Sequence, residues 1–226
     1  MITKTTKPSR RGTKDSDSDS DPGPHVPDTA ENPPEEDKGM IMDMLAAAPR
    51  PVHMTGIYGD VNEIKAQEAV FSLLLFQKDI MQDPAEEEPG PIEFYVSTYG
   101  GQASEMFSVY DVIRYVRETI PVVTCGIGKV MSAGVLLLAA GTKGQRKIGK
   151  HCRVMIHGVN SGHSGHIADM ENEFAETKFT QKQYALALAA ETDMTPAYIK
   201  KLMAKKTNVY LDAQQAVDLG IADIIV

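Results

Sequence analysis

The chain has 226 residues, of which 42% are hydrophobic. That is enough for one substantial core and a tail. Its formal net charge is −8, and no basic stretch alternates with aromatics, which argues against nucleic acid as a partner. No apolar run reaches membrane-spanning length and no signal-peptide core follows the basic start, so the sequence predicts a soluble, cytoplasmic protein with no membrane partner.

Residues 1–39 open basic, repeat Ser-Asp from Asp15 to Asp21, and continue with prolines and Glu35-Glu36-Asp37. Apolar residues there are too sparse to offset the entropy of ordering them, which predicts a disordered tail, either solubilising or docking. Met40 to Leu45 is short, Met-rich and adhesive. It reads either as a helix packed on the body or as a contact with another subunit. The globular part starts near Pro51.

Val52 to Ile57 reads as a strand closed by Gly59-Asp60. Asn62 is placed to cap a helix running to about Met81. Pro84 to Pro91 is an acidic, proline-rich loop, and Ile92 to Val96 a second strand. Gly100-Gly101 reads as a turn before a helix from about Ala103 to Arg117. Val122 to Ile127 is a third strand and Ser132 to Ala140 a short helix. Lys147-Ile148 and Arg153 to Ile156 are strand-like. A long amphipathic helix spans about Ile167 to Ala190. Its apolar positions are Ile167, Met170, Phe174, Tyr184 and Leu188, with a polar interruption around Thr177 and Gln181. Pro196 opens a helix to Lys205, Ala213 to Leu219 is a last short helix, and Ile221 to Val226 a final strand. Strands alternating with helices predict an α/β fold with a largely parallel sheet.

Two residues carry the chemical signal. Ser132 lies in Gly128-Lys129-Val130-Met131-Ser132-Ala133-Gly134, at a strand-to-helix turn that exposes a hydroxyl and directs backbone N–H groups at whatever binds there. His157 ends an apolar strand, from which an imidazole can reach such a hydroxyl and take its proton. The pair points to a serine hydrolase. Cys125 and Cys152 each sit in an apolar run and read as reduced core thiols, in keeping with a cytosol-like compartment.

Six blocks in order resemble the ClpP family, the proteolytic component of ATP-dependent Clp proteases, over roughly residues 50–226. They are Val52 to Ile57, Ser97 to Gly101, Ser108 to Asp111, Gly128 to Gly134, Arg153 to His157, and Tyr210 to Ala216 with Gly220 to Asp223. The resemblance implies a ClpP/crotonase-like fold, a repeated β-β-α spiral with a protruding handle helix, and residues 40–226 as the peptidase domain. It implies a serine endopeptidase that cleaves unfolded polypeptides through an acyl-enzyme. Ser132 would be the nucleophile, His157 the general base, and the backbone N–H groups of Gly101 and Ala133 the oxyanion hole. It implies seven-membered rings, stacked as a tetradecamer, and a partner Clp ATPase unfoldase. ATP would enter only through that partner, with no cofactor and no metal in this chain. The second reading is a non-catalytic or weakly active regulatory subunit that co-assembles with an active homologue. A third, an acyl-CoA hydratase-like enzyme of the same superfamily, fits the Ser/His blocks less well.

The family's acid aligns with Asn208. An amide there can orient the imidazole but cannot stabilise imidazolium with a full charge. Asp212 is the other carboxylate nearby and reads as the N-cap of the helix at Ala213. Val130 and Met131 replace the family's usual small residues, which predicts a more crowded site, and Glu105 adds a charge near the binding turn. Asn160 to Gly165 corresponds to the family's glycine-rich strand that pairs with substrate. Gly144 to Lys150 has P-loop spacing without the Ser or Thr that follows, and reads as a basic surface turn. His151, Cys152, His163 and His166 fit no four-ligand zinc spacing.

Overall fold

A computed structural model describes residues 52–82, 90–204 and 207–226. The tail over 1–39, the Met-rich segment and most of the acidic loop lie outside the described residues. The strands are β1 (Met54–Val61), β2 (Ile92–Gly101), β3 (Val122–Met131), β4 (Lys147–Ile148), β5 (Arg153–Ile156), β6 (Val209–Leu211) and β7 (Ile224–Ile225). The helices are α1 (Glu63–Gln82), α2 (Ala103–Val116), α3 (Ala133–Ala139), α4 (Ile167–Glu191), α5 (Pro196–Met203) and α6 (Ala213–Asp218).

The sheet runs β1-β2-β3-β4-β7 with every pairing parallel. The core lies against one face of β1 and β2, where Ile57, Ile92, Phe94 and Val96 are fully buried, while Met54 and Tyr58 on the alternate positions of β1 are more than half exposed. β3 serves two neighbours. Its first half pairs with β4 at Cys125 and Gly126, and its second half pairs with β5 at Lys129 to Met131. The antiparallel β6 then adds to β5. All seven residues of α3 are buried, as befits a helix that is apolar all round. This is the mixed α/β architecture with a largely parallel sheet that the alternating pattern predicts.

The protruding helix is α4. Its first half projects into solvent, with Ile167 73% and Phe174 56% exposed, whereas Tyr184, Leu188 and Glu191 near its end are buried. Of the predicted apolar stripe, therefore, only the last two positions enter the core of this chain. A buried charged group closes the base of α4. The Glu191 carboxylate accepts both terminal nitrogens of Arg117, at 2.8 and 2.9 Å, and the Tyr110 hydroxyl at 3.0 Å.

Several boundaries differ from the sequence reading. β1 does not close at Gly59-Asp60 but continues to Val61. Gly59 takes φ 81°, and the pairing register shifts between Tyr58 and Asp60, so the glycine makes a bulge rather than a stop. Gly100-Gly101 is not a turn but the end of β2, paired with Asp60 and Val61. β6 went unpredicted, and the final strand is confined to Ile224–Ile225. Residues 157–166, which include the expected glycine-rich strand, form no strand. Asn62 caps α1 as expected, accepting from the Lys65 amide at 3.1 Å.

Candidate active site

β3 and β5 run parallel, with Met131 level with Met155. Ser132 is the next residue on one strand, and His157 follows Ile156 on the other. The two side chains therefore meet at the C-terminal end of the sheet. His157 Nε2 lies 2.8 Å from Ser132 Oγ. Ser132 adopts φ 54°, ψ −118°, and it is the one non-glycine residue with positive φ among the described residues. Such a conformation is costly and persists only when its surroundings fix it.

Burial lowers the pKa of His157 below the ordinary imidazole value. The ring is thus neutral near pH 7, the form able to accept a proton from the hydroxyl. A cavity of about 670 Å³ opens beside the pair, lined among others by Asp60, Tyr99, Gly101, Ala133, Val159 and Tyr184. The Gly101 and Ala133 backbones thus border the same space as Ser132. Gly100, one residue earlier, packs against the serine: a Cβ there would come within 2.6 Å of Ser132 Cβ.

Asn208 stands one residue before the β5–β6 ladder, whose last pair is Ile156 with Val209, so the register brings it level with His157. Its side chain is exposed and forms no hydrogen bond with His157. Asp212 caps α6 in a capping box with Gln215, accepting from the Gln215 amide at 2.8 Å while Gln215 Oε1 accepts from the Asp212 amide at 3.0 Å.

The crowding expected from Val130 does not occur. Its side chain is fully buried beneath the sheet, and neither it nor Met131 lines the cavity. Val130 faces the following helix instead: a Cβ on Gly134 would lie 3.6 Å from its Cγ1, and the positive φ of Ser132 breaks the alternation that would put the two side chains on one face. Glu105, on the first turn of α2, is likewise not a lining residue. The P-loop-like segment is a turn filled by the protein's own carboxylate: Asp223 Oδ2 accepts the amides of Gly144 and Arg146 and the Arg146 side chain. Cys125 and Cys152 are free and buried. Among the described residues no three His, Cys, Asp or Glu side chains converge in a way that would hold a metal, and no helix is long and apolar enough to cross a membrane.

Two residues near the pair escaped the sequence reading. The Tyr184 hydroxyl donates to the Ser132 carbonyl oxygen at 3.0 Å, and Gln181 Oε1 accepts from the Val159 amide at 3.1 Å. The signal for Gln181 was the polar interruption of the α4 stripe. Tyr184 gave none, because a tyrosine at an apolar position of a helix reads as core.

A largely parallel sheet whose strands alternate with helices, with a long helix projecting from the body, defines an α/β protein of the ClpP/crotonase-like fold. A family model described as Clp protease matches residues 43–226. The chain is 29% identical over 147 residues to the ATP-dependent Clp protease proteolytic subunit 4 of Rhodococcus jostii (strain RHA1), covering 65% of this chain and 72% of that protein. It is 30% identical over 142 residues to proteolytic subunit 1 of Corynebacterium jeikeium (strain K411), covering 63% of this chain and 73% of that one. The chain belongs to the Clp protease family and is a divergent ClpP-type protease subunit.

Proposed function

We propose that this chain is an active serine peptidase subunit that cleaves unfolded polypeptides through an acyl-enzyme on Ser132. The observation that carries this reading is the 2.8 Å contact between His157 Nε2 and Ser132 Oγ at a strained turn beside a cavity. Ser132 Oγ attacks the scissile carbonyl carbon as its proton passes to His157 Nε2. The resulting oxyanion is received by the backbone N–H groups of Gly101 and Ala133, each such donor being worth about 3 kcal/mol in the transition state. The imidazolium returns its proton to the leaving amine, and water then releases the acyl group by the same steps. Asn208 would orient the imidazole without adding a charge, a role supported by its position level with His157 in the β5–β6 register.

Self-association belongs to the same proposal. The exposed apolar side chains of α4 (Ile167, Phe174, Phe179) and of α1 (Ile64, Phe71, Leu75) are suited to burial between copies in stacked rings. Within the rings the sites would face an enclosed chamber in the cytoplasm, and a Clp ATPase would supply unfolded chains.

The test is hydrolysis of a short fluorogenic peptide, together with labelling by a serine-directed fluorophosphonate. Wild type is expected to do both, and Ser132→Ala neither. Intact rings with neither turnover nor labelling would replace this reading with that of a regulatory subunit.

A further inference from the structure

We infer that Gln181 and Tyr184, three residues apart on one face of α4, are positioning residues that hold the two sides of the Ser132–His157 pair. The inference deepens the peptidase reading and rests on it.

The Ser132 backbone is gripped from two directions. Its amide donates to Met155 O on β5 at 2.8 Å. Its carbonyl accepts from the Tyr184 hydroxyl at 3.0 Å, besides the Val135 amide. The strained φ and ψ of the serine need such over-determination to persist. Burial pushes the Tyr184 phenol well above its ordinary pKa, so the hydroxyl remains a donor throughout the working pH range.

On the other side, strand pairing ends at Ile156, and the chain that follows has no ladder to hold it. The Val159 amide finds its acceptor in Gln181 Oε1. Gly158 is pressed between the same Gln181 oxygen and Met203 O, either of which would meet an added Cβ at 3.0–3.1 Å. Residues 157–159 are therefore anchored to α4 rather than to a neighbouring strand. Positions i and i+3 of a helix share a face, so one rigid element fixes both halves of the pair. No side-chain hydrogen bond joins His157 to Asn208, and this face of α4 supplies positional restraint from another direction. A glutamine and a tyrosine that merely satisfied buried polar groups would make the same bonds, so the test must read chemistry and stability separately.

The experiment compares wild type with Tyr184→Phe, Gln181→Leu and Gln181→Glu. It measures kcat and KM on the fluorogenic peptide, the rate of fluorophosphonate labelling at Ser132, and the thermal midpoint. Tyr184→Phe and Gln181→Leu are each expected to lower kcat and the labelling rate about tenfold, as loss of one hydrogen bond that aligns reacting groups allows. KM is expected to stay within about twofold. Gln181→Glu keeps the acceptor oxygen and is expected to restore most of kcat. A fall in thermal midpoint with unchanged kcat and labelling would overturn the inference and leave both residues structural. If Gln181→Leu fails to fold, Tyr184→Phe, which removes one oxygen, decides alone. Wild-type protein that neither hydrolyses nor labels would remove the peptidase reading, and this inference with it. Activity in wild type that is equal in Tyr184→Phe would remove this inference alone.

Discussion

The amide of Ser132 donates to the carbonyl of Met155 at 2.8 Å, so the last bond of the β3–β5 pairing is made by the residue that carries the hydroxyl. Two parallel strands in that register carry their next side chains to the same end of the sheet, and His157 needs only the step past Ile156 to reach Ser132 Oγ. The Ser/His geometry is thus a property of strand register. What register leaves open is the electrostatics of the imidazole, since the residue level with His157 is the uncharged Asn208.

Asn208→Asp places a carboxylate at the position level with His157. An acid at that point stabilises the imidazolium formed as the serine gives up its proton, and in serine protease triads the exchange of acid for amide costs about 10⁴ in kcat. The exposed setting of Asn208 reduces the gain, which is expected to be about tenfold in kcat. The carboxylate also raises the pKa of His157, so the acid limb of the pH–rate profile should move to higher pH. Peptide hydrolysis as a function of pH measures both, and an unchanged kcat with an unmoved limb would count against Asn208 as the orienting position.

Much of this architecture was legible in the sequence, and the exceptions share a cause. The alternation of buried and half-buried positions over Ile92 to Val96 and the turn chemistry around Ser132 are local signals, and they locate the second strand and the candidate pair. β6 spans three residues, Val209–Leu211, and exists only because β5 offers an edge. Gly59 is the same glycine whether it ends a strand or bulges one, and its pairing across to β2 decided the outcome. Val130 looked obstructive because sequence adjacency to Ser132 suggested nearness to the cavity. Its side chain packs in the core toward α3 instead, and the positive φ of Ser132 turns the serine off the strand's own alternation. The contacts of Gln181 and Tyr184 with the site cross more than twenty residues of chain, and no local pattern encodes them.

The wild-type pH profile follows from burial of His157. Burial disfavours the charged ring, so the folded-state pKa lies below 6.5. Activity needs the neutral ring, which predominates above that folded pKa. The midpoint of the acid limb in kcat/KM should therefore lie below pH 6.5. A limb centred above 6.5 would show that a charge, rather than burial, governs the histidine.

Gly100→Ala should disable the site from the side of β2. Gly100 has φ 108°, and an added Cβ would lie 2.6 Å from Ser132 Cβ and 3.0 Å from its Oγ. The serine must move, and displacement of a reacting group by about 1 Å can cost about a hundredfold in rate. Gly162→Ala is the control, since nothing lies within 4 Å of its Cβ position. The expected result is a loss of about a hundredfold in kcat/KM for Gly100→Ala and none for Gly162→Ala. Equal activity of the two variants would mean that the β2 end does not set the position of the serine.

Acid stability is expected to depend on Asp223. Burial alone would raise its pKa, but hydrogen bonds from the Arg146 side chain and backbone, the guanidinium charge and the Gly144 amide outweigh burial and hold it below the usual carboxylate value. A depressed folded-state pKa means that the unfolded chain takes up the proton first as pH falls. The stabilisation is therefore complete above the unfolded value near 3.8 and is lost as pH drops through the folded one. Asp223→Asn leaves Arg146, 4% exposed, without its counter-charge, a change that costs about 3 kcal/mol for a buried pair. Urea unfolding at pH 7 should show that deficit. At pH 3 the gap between wild type and variant should narrow, because the unfolded wild-type chain has by then largely taken up the Asp223 proton that the folded state excludes. A gap of the same size at both pH values would place the cost in packing rather than in the ion pair.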